Sequence, residues 1–169
     1  MVKYKKRDVP EEMEMSRADD AKKYFEEGYA CAQAVVKAFA DLTGPEGEAL
    51  ERIMLPFGGG IGRQRLTCGA VSGMVAVVGA LYAESGVDRD NKKQVYAIVR
   101  QLCDSFKARR GSLVCGELLV AAGLDGSAGG TPEARDAGYY ARRPCGDIVY
   151  LAAEILEQYI NENPIEREF

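Results

Sequence analysis

The chain has 169 residues, 47% of them hydrophobic and 28% charged, the profile of a single globular domain able to bury its own core. A net charge of -4 with no basic stripe excludes a general nucleic-acid binder. The most apolar stretch, Met74 to Leu81, is far too short to cross a bilayer, so no membrane partner is expected.

The chain starts with Lys3, Lys5, Lys6 and Arg7, offset at once by Glu11, Glu12 and Glu14. With no apolar run behind these charges, residues 1–15 read as a solvated tail rather than a secretory signal, and a cytoplasmic location is expected. Ser16 is a helix N-cap, with Asp19 in the capping-box position, for a helix through about Glu27. After Gly28 a second helix carries Cys31, Ala34, Val35, Ala38 and Phe39 at three-four spacing. Gly44-Pro45 breaks the chain, and Pro45 opens a short helix through about Leu55.

Pro56 and the run Gly58-Gly59-Gly60-Ile61-Gly62 force an irregular loop. Cys68 begins the next helix, through about Glu84, with a stripe of small residues at Gly69, Gly73, Ala76, Ala80 and Ala83 that lets a neighbouring helix approach closely. A helix from about Asp90 to Lys107 has Val95, Ile98, Val99, Leu102 and Phe106 as its core face. Cys115 opens a short helix ended by Gly123. From Asp125 to Gly138 the residues are polar and glycine-rich, a long loop of the kind often used for function. The last helix starts near Cys145, with Ile148, Val149, Ala152, Ile155, Leu156 and Tyr159 inward. No segment alternates like a strand. The fold class is therefore all-α: a compact multi-helix bundle over residues 16–162, with a glycine-rich loop before its central helix and a tail at 163–169.

The chain has five cysteines and no histidine, so thiol or metal chemistry would run on sulfur. Cys31, Cys68, Cys115 and Cys145 each stand at a helix start, where the N-terminal dipole favours a thiolate. No pair forms a C-x-x-C unit, which excludes a thioredoxin-like motif or zinc ribbon on spacing. Arginine pairs precede three of them: Arg63 and Arg65 before Cys68, Arg109 and Arg110 before Cys115, Arg142 and Arg143 before Cys145. Nearby guanidinium charge lowers a thiol pKa further. Cys103 lies mid-helix between Val99 and Phe106 and reads as core. The glycine run fits neither a dinucleotide fingerprint nor a phosphate-binding loop, although its amides, with Arg63 and Arg65, offer a place for an anion. Tyr139 and Tyr140 are expected to pack, and Glu117 and Asp147 to favour the first turns of their helices.

Together these residues resemble the redox-active protein family named for the pattern C_GCAxxG_C_C. The signature is Cys68-Gly69-Ala70-Val71-Ser72-Gly73, flanked by Gly28-Tyr29-Ala30-Cys31-Ala32-Gln33, Phe57-Gly58-Gly59-Gly60-Ile61-Gly62, Cys115-Gly116-Glu117-Leu118-Leu119 and Cys145. The likeness covers about residues 20 to 160. It implies that Cys31, Cys68, Cys115 and Cys145 are the functional set, with Cys103 outside it, and it supplies no substrate. Three readings stand. In thiol–disulfide exchange, Cys68 is the preferred nucleophile, any of the other three resolves, and no cofactor is required beyond a redox partner or small-molecule substrate. In a metal site, the four cysteines ligate zinc or an iron–sulfur cluster. In an interaction module, the cysteines only pack. The small-residue helix and apolar faces also make a homo-oligomer an open expectation.

Overall fold

The computed structural model describes residues 15–164; the tail expectations at 1–14 and 165–169 fall outside the described residues. Among the described residues eight α-helices follow one another: α1 Arg17–Glu26, α2 Cys31–Ala38, α3 Gly47–Met54, α4 Gly69–Tyr82, α5 Arg89–Arg110, α6 Cys115–Ala121, α7 Ala137–Arg142 and α8 Cys145–Glu162. Short 3-10 turns, Gly44–Glu46 and Leu55–Phe57, flank α3. The fold is all-α. Among the described residues no helix is long and apolar enough to cross a membrane.

Local signals set most boundaries. The Ser16 side chain accepts from the Asp19 amide, and Asp19 reaches back to the Ser16 amide, closing the expected capping box. Asp88 caps α5 through the amides of Asp90 and Asn91, and Gly111, in the left-handed conformation (φ 84°), ends it. Proline in the Gly44–Glu46 turn opens a 3-10 turn instead of α3 itself, which begins at Gly47.

The core sits where α1, α2, α4 and α8 meet. Helix α4 has no exposed residue, in keeping with its small and apolar sequence. Its closest approach is to α2: a Cβ placed on Gly73 would lie 2.6 Å from the Ala32 carbonyl oxygen, and one on Gly69 would lie 3.2 Å from the Cys31 Cβ. Helix α8 buries Ile148, Val149, Ala152, Ile155 and Leu156 as its periodicity requires. Helix α5 buries only Ile98, Leu102 and Phe106, so it lies along the outside with one stripe inward.

Helix α7 begins at Ala137, inside the stretch whose glycine-rich composition predicts a loop through Gly138. Six residues are too few to hold a helix by propensity. Tertiary contacts make it: Asp136 caps it through the Tyr139 amide at 2.7 Å, Tyr140 packs edge-on against Phe25, and Tyr139 is buried.

Candidate functional site

Each of the four cysteines does stand at a helix start. Cys31, Cys115 and Cys145 are the first residues of α2, α6 and α8, and Cys68 is the residue preceding α4. Two backbone devices bring them together. The chain at 65–68 pairs antiparallel with 113–116 through an isolated bridge between Thr67 and Val114. The Cys68 amide donates to the Leu113 carbonyl (2.8 Å), the Cys115 amide to Leu66 (2.6 Å) and the Gly116 amide to Arg65 (3.0 Å). This links the starts of α4 and α6. The second device is the α2–α4 contact, in which a Cβ on Gly69 would lie 3.2 Å from the Cys31 Cβ. The four sulfurs are linked through their charges: Cys31 with Cys145 and Cys68, Cys68 with Cys115 and Cys145, and Cys115 with Cys145.

The thiols differ sharply. Cys145 is held down to about 7, first by a hydrogen bond from the Cys31 thiol, then by the Arg143 and Arg135 guanidinium groups, against the cost of burial. Cys31, the proton donor of that pair, is pushed well above the ordinary range by the same hydrogen bond, by burial and by the negative charge opposite. Cys68, only 5% exposed, is pushed up to about 12 by burial, which the amides of Ala70 and Val71 only partly offset. The Cys115 thiol is raised by burial but pulled back by Arg65, whose Nη1 donates to its sulfur at 3.9 Å, and by Arg143. Cys68, the expected attacking thiolate, is thus a thiol whose burial opposes ionisation. Its helix start and glycine approach are real, but desolvation outweighs the helix dipole. Cys103 is half-buried on α5 and raised by burial and Asp104. It packs against the core, as expected.

The arginines are also redistributed. Arg109 pairs with Glu154 of α8 at 2.6 Å, and the guanidinium group that donates to the Cys115 sulfur is that of Arg65, fifty positions away in sequence. Arg63 and Arg65 spend donors on the long loop: Arg63 Nε on the Gly129 carbonyl (3.1 Å) and Arg65 Nε on the Ser127 carbonyl (3.2 Å). Both guanidinium groups thus have protein partners where an anion was expected. The backbone that delivers them is unusual. Ile61, Arg63 and Arg65 adopt φ of 60°, 66° and 61°, a conformation that costs non-glycine residues roughly 1–3 kcal/mol each and clusters at functional sites.

Two charged residues beside the cysteines, Arg135 and Glu133, carry no signal of their own in the sequence, and Tyr139, expected to pack, also holds a guanidinium group. Arg135 donates to the carbonyls of Tyr29 (2.6 Å) and Phe25 (3.3 Å) and lies over the Phe25 ring, which fixes its charge near Cys31 and Cys145. Glu133 gathers Arg143 in a short ion pair, with Arg63 at 3.8 Å and Arg142 at 4.0 Å. Tyr139 carries the Arg143 guanidinium over its ring at 4.8 Å. Glu133 and Arg135 signal only together, through the charged cluster in Pro132-Glu133-Ala134-Arg135-Asp136 set in a glycine and serine loop. Glu117 bonds Ser112 and Asp147 bonds Lys22; neither touches a cysteine sulfur.

A family model described as "Putative redox-active protein (C_GCAxxG_C_C)" matches residues 29–159, most of the chain. The protein belongs to the C_GCAxxG_C_C family. No curated protein and no solved structure matches it. The C_GCAxxG_C_C signature has a physical reading here: its two glycines, Gly69 and Gly73, are where α4 touches α2, and that contact carries Cys68 to Cys31. Among the described residues, no three cysteine, aspartate or glutamate side chains are arranged to hold one metal ion.

Proposed function

We propose that this protein performs thiol–disulfide exchange, with Cys145 as attacking thiolate and Cys31 as resolving thiol. The observation that carries the reading is the pairing of the two sulfurs by a hydrogen bond at the starts of α2 and α8, with the Arg143 and Arg135 guanidinium groups beside Cys145, which favour its thiolate. A pKa near ambient pH is the optimum for an attacking thiol, combining thiolate population with nucleophilicity. Support also comes from position: Cys145 opens an 18-residue helix, whose N-terminus favours the anion.

Cys145 attacks one sulfur of a substrate disulfide. The substrate S–S bond breaks, one half leaves as a thiolate and takes a proton, and the other half stays as a mixed disulfide on Cys145. Cys31 then loses its proton and attacks the Cys145 sulfur, releasing the second half as a thiol. The substrate gains two electrons, and Cys31 and Cys145 lose two as they form a disulfide. Arg143 and Arg135 hold the anion before attack, and both are fixed by partners other than substrate.

The test is alkylation by iodoacetamide across pH 5–10, with each cysteine quantified by mass spectrometry. Cys145 should alkylate first, with a midpoint near 7. An unreactive Cys145 at pH 7.5, or Cys68 alkylating ahead of it, sinks the reading. A second reading, cysteine ligation of zinc or an iron–sulfur cluster, draws on the convergence of four thiols at helix starts. Metal assay and visible absorbance on anaerobically prepared protein test it; a stoichiometric metal that protects all four thiols from alkylation would replace the exchange reading.

A further inference from the structure

The exchange scheme leaves two cysteines of the cluster unused. Cys68 and Cys115 belong to facing segments of the Thr67–Val114 bridge, diagonal to each other across it and tied through Leu113 and Leu66. Diagonal neighbours on such a pair lie roughly 7–8 Å apart at Cα, just beyond the ~6.8 Å reach of a disulfide, so joining them takes a local backbone shift at the bridge, and the two sulfurs are already near enough for the Cys115 charge to act on Cys68. Glycine at position 60 keeps this spot tight, since a Cβ there would lie 2.7 Å from the Cys115 Cβ. Cys68 is buried and cannot meet a bulky external disulfide. What it does face is Cys115 and Cys145.

We propose that Cys68 and Cys115 form a second dithiol–disulfide couple, oxidised internally by the Cys31–Cys145 disulfide, so that one chain holds two disulfides and four oxidising equivalents. This rests on the exchange reading above. A substrate disulfide first oxidises Cys31 and Cys145. Cys115, beside the Arg65 guanidinium, attacks the Cys145 sulfur; the Cys31–Cys145 bond breaks and Cys31 leaves as a thiolate that takes the proton Cys115 gave up. Cys68 then loses its proton to solvent and attacks the Cys115 sulfur, and Cys145 leaves as the thiolate. Two electrons pass from Cys68 and Cys115 to Cys31 and Cys145, with no net oxidation. The outer pair is reduced again and can accept a second substrate disulfide.

The test uses the full chain carrying Cys103→Ser, treated with excess glutathione disulfide, sampled over time, acid-quenched, alkylated and mapped by mass spectrometry. The expected result is loss of four thiols, Cys31–Cys145 appearing first and Cys68–Cys115 after it. Adding Cys145→Ser should slow Cys68–Cys115 formation at least tenfold, while Cys115→Ser should leave Cys31–Cys145 as the only disulfide, which also reports that the site still folds. Oxidation that stops at Cys31–Cys145 in the parent overturns the second couple and leaves the exchange reading intact. So does Cys68–Cys115 forming equally fast with Cys145→Ser. Loss of no thiol overturns the exchange reading itself, and this one with it.

Discussion

Cys68 and Cys145 occupy the same kind of place, a helix start beside a glycine, yet one thiol is pushed up to about 12 and the other held down to about 7. The floor of the site, around Cys68, is packed backbone: α4 against α2, and the bridge to α6. The rim, around Cys145, is a set of guanidinium groups fixed by Glu133, Tyr139 and the carbonyls of the α1–α2 turn. A helix terminus contributes ~0.3–1 kcal/mol, less than one pH unit at 1.36 kcal/mol each, whereas burial moves a thiol by several. The helix start places a sulfur, and its surroundings decide whether it ionises.

The largest effect should come from breaking the floor. Gly73→Val puts side-chain atoms where a Cβ is already 2.6 Å from the Ala32 carbonyl and 3.0 Å from the Val35 Cβ. Both neighbours belong to a buried helix, so α2 and α4 must separate. The expected cost is about 1–3 kcal/mol of stability, read by urea denaturation; an unchanged midpoint would show that the helices tolerate separation. Next is Cys31→Ala, which removes the strongest influence holding Cys145 down. Fewer hydrogen bonds to the charged form raise an acid's pKa, so the alkylation midpoint of Cys145 should climb by about one pH unit and its rate at pH 7 should fall. A midpoint that stays near 7 would assign the lowering to the arginines alone.

The floor was legible in the sequence and the rim was not, for a physical reason. Gly69 and Gly73 recur at helical spacing next to Cys68, and Ser16 with Asp19 is a complete capping signal, so local pattern was enough for α1, α2, α4 and α8. The four cysteines were legible as a set because each helix start is itself a local signal. Which sulfur ionises depends on burial and on charges far away in sequence. Arg65 reaches Cys115 across the bridge, Arg135 reaches Cys31 from a loop whose glycines disguise it, and Arg109, adjacent in sequence, turns away to Glu154. Proximity in the chain named the right arginine only for Cys145, where Arg143 does act and Arg142 is mainly exposed.

Arg143→Ala sharpens the comparison at the rim. The Cys145 midpoint should rise by less than with Cys31→Ala, because Arg135 and the Cys31 hydrogen bond remain. Alkylation at pH 7 should slow roughly threefold, and Arg143→Lys should restore most of the rate by returning the charge. An equal slowing by Lys would mean that Arg143 acts through packing on Tyr139 rather than through charge.

The smallest effect separates spatial from sequential neighbours. Cys115 is raised by burial and held back by Arg65, so Arg65→Ala should move its midpoint further up and slow its alkylation at pH 8 about twofold. Arg109→Ala removes a charge six residues from Cys115 in sequence but engaged with Glu154 in space, and should leave Cys115 unchanged. If Arg109→Ala slowed Cys115 as much as Arg65→Ala, the arginine pair before the cysteine would be its activator after all. The bridge between Thr67 and Val114 would then be a packing contact, no longer the device that hands Arg65 to Cys115.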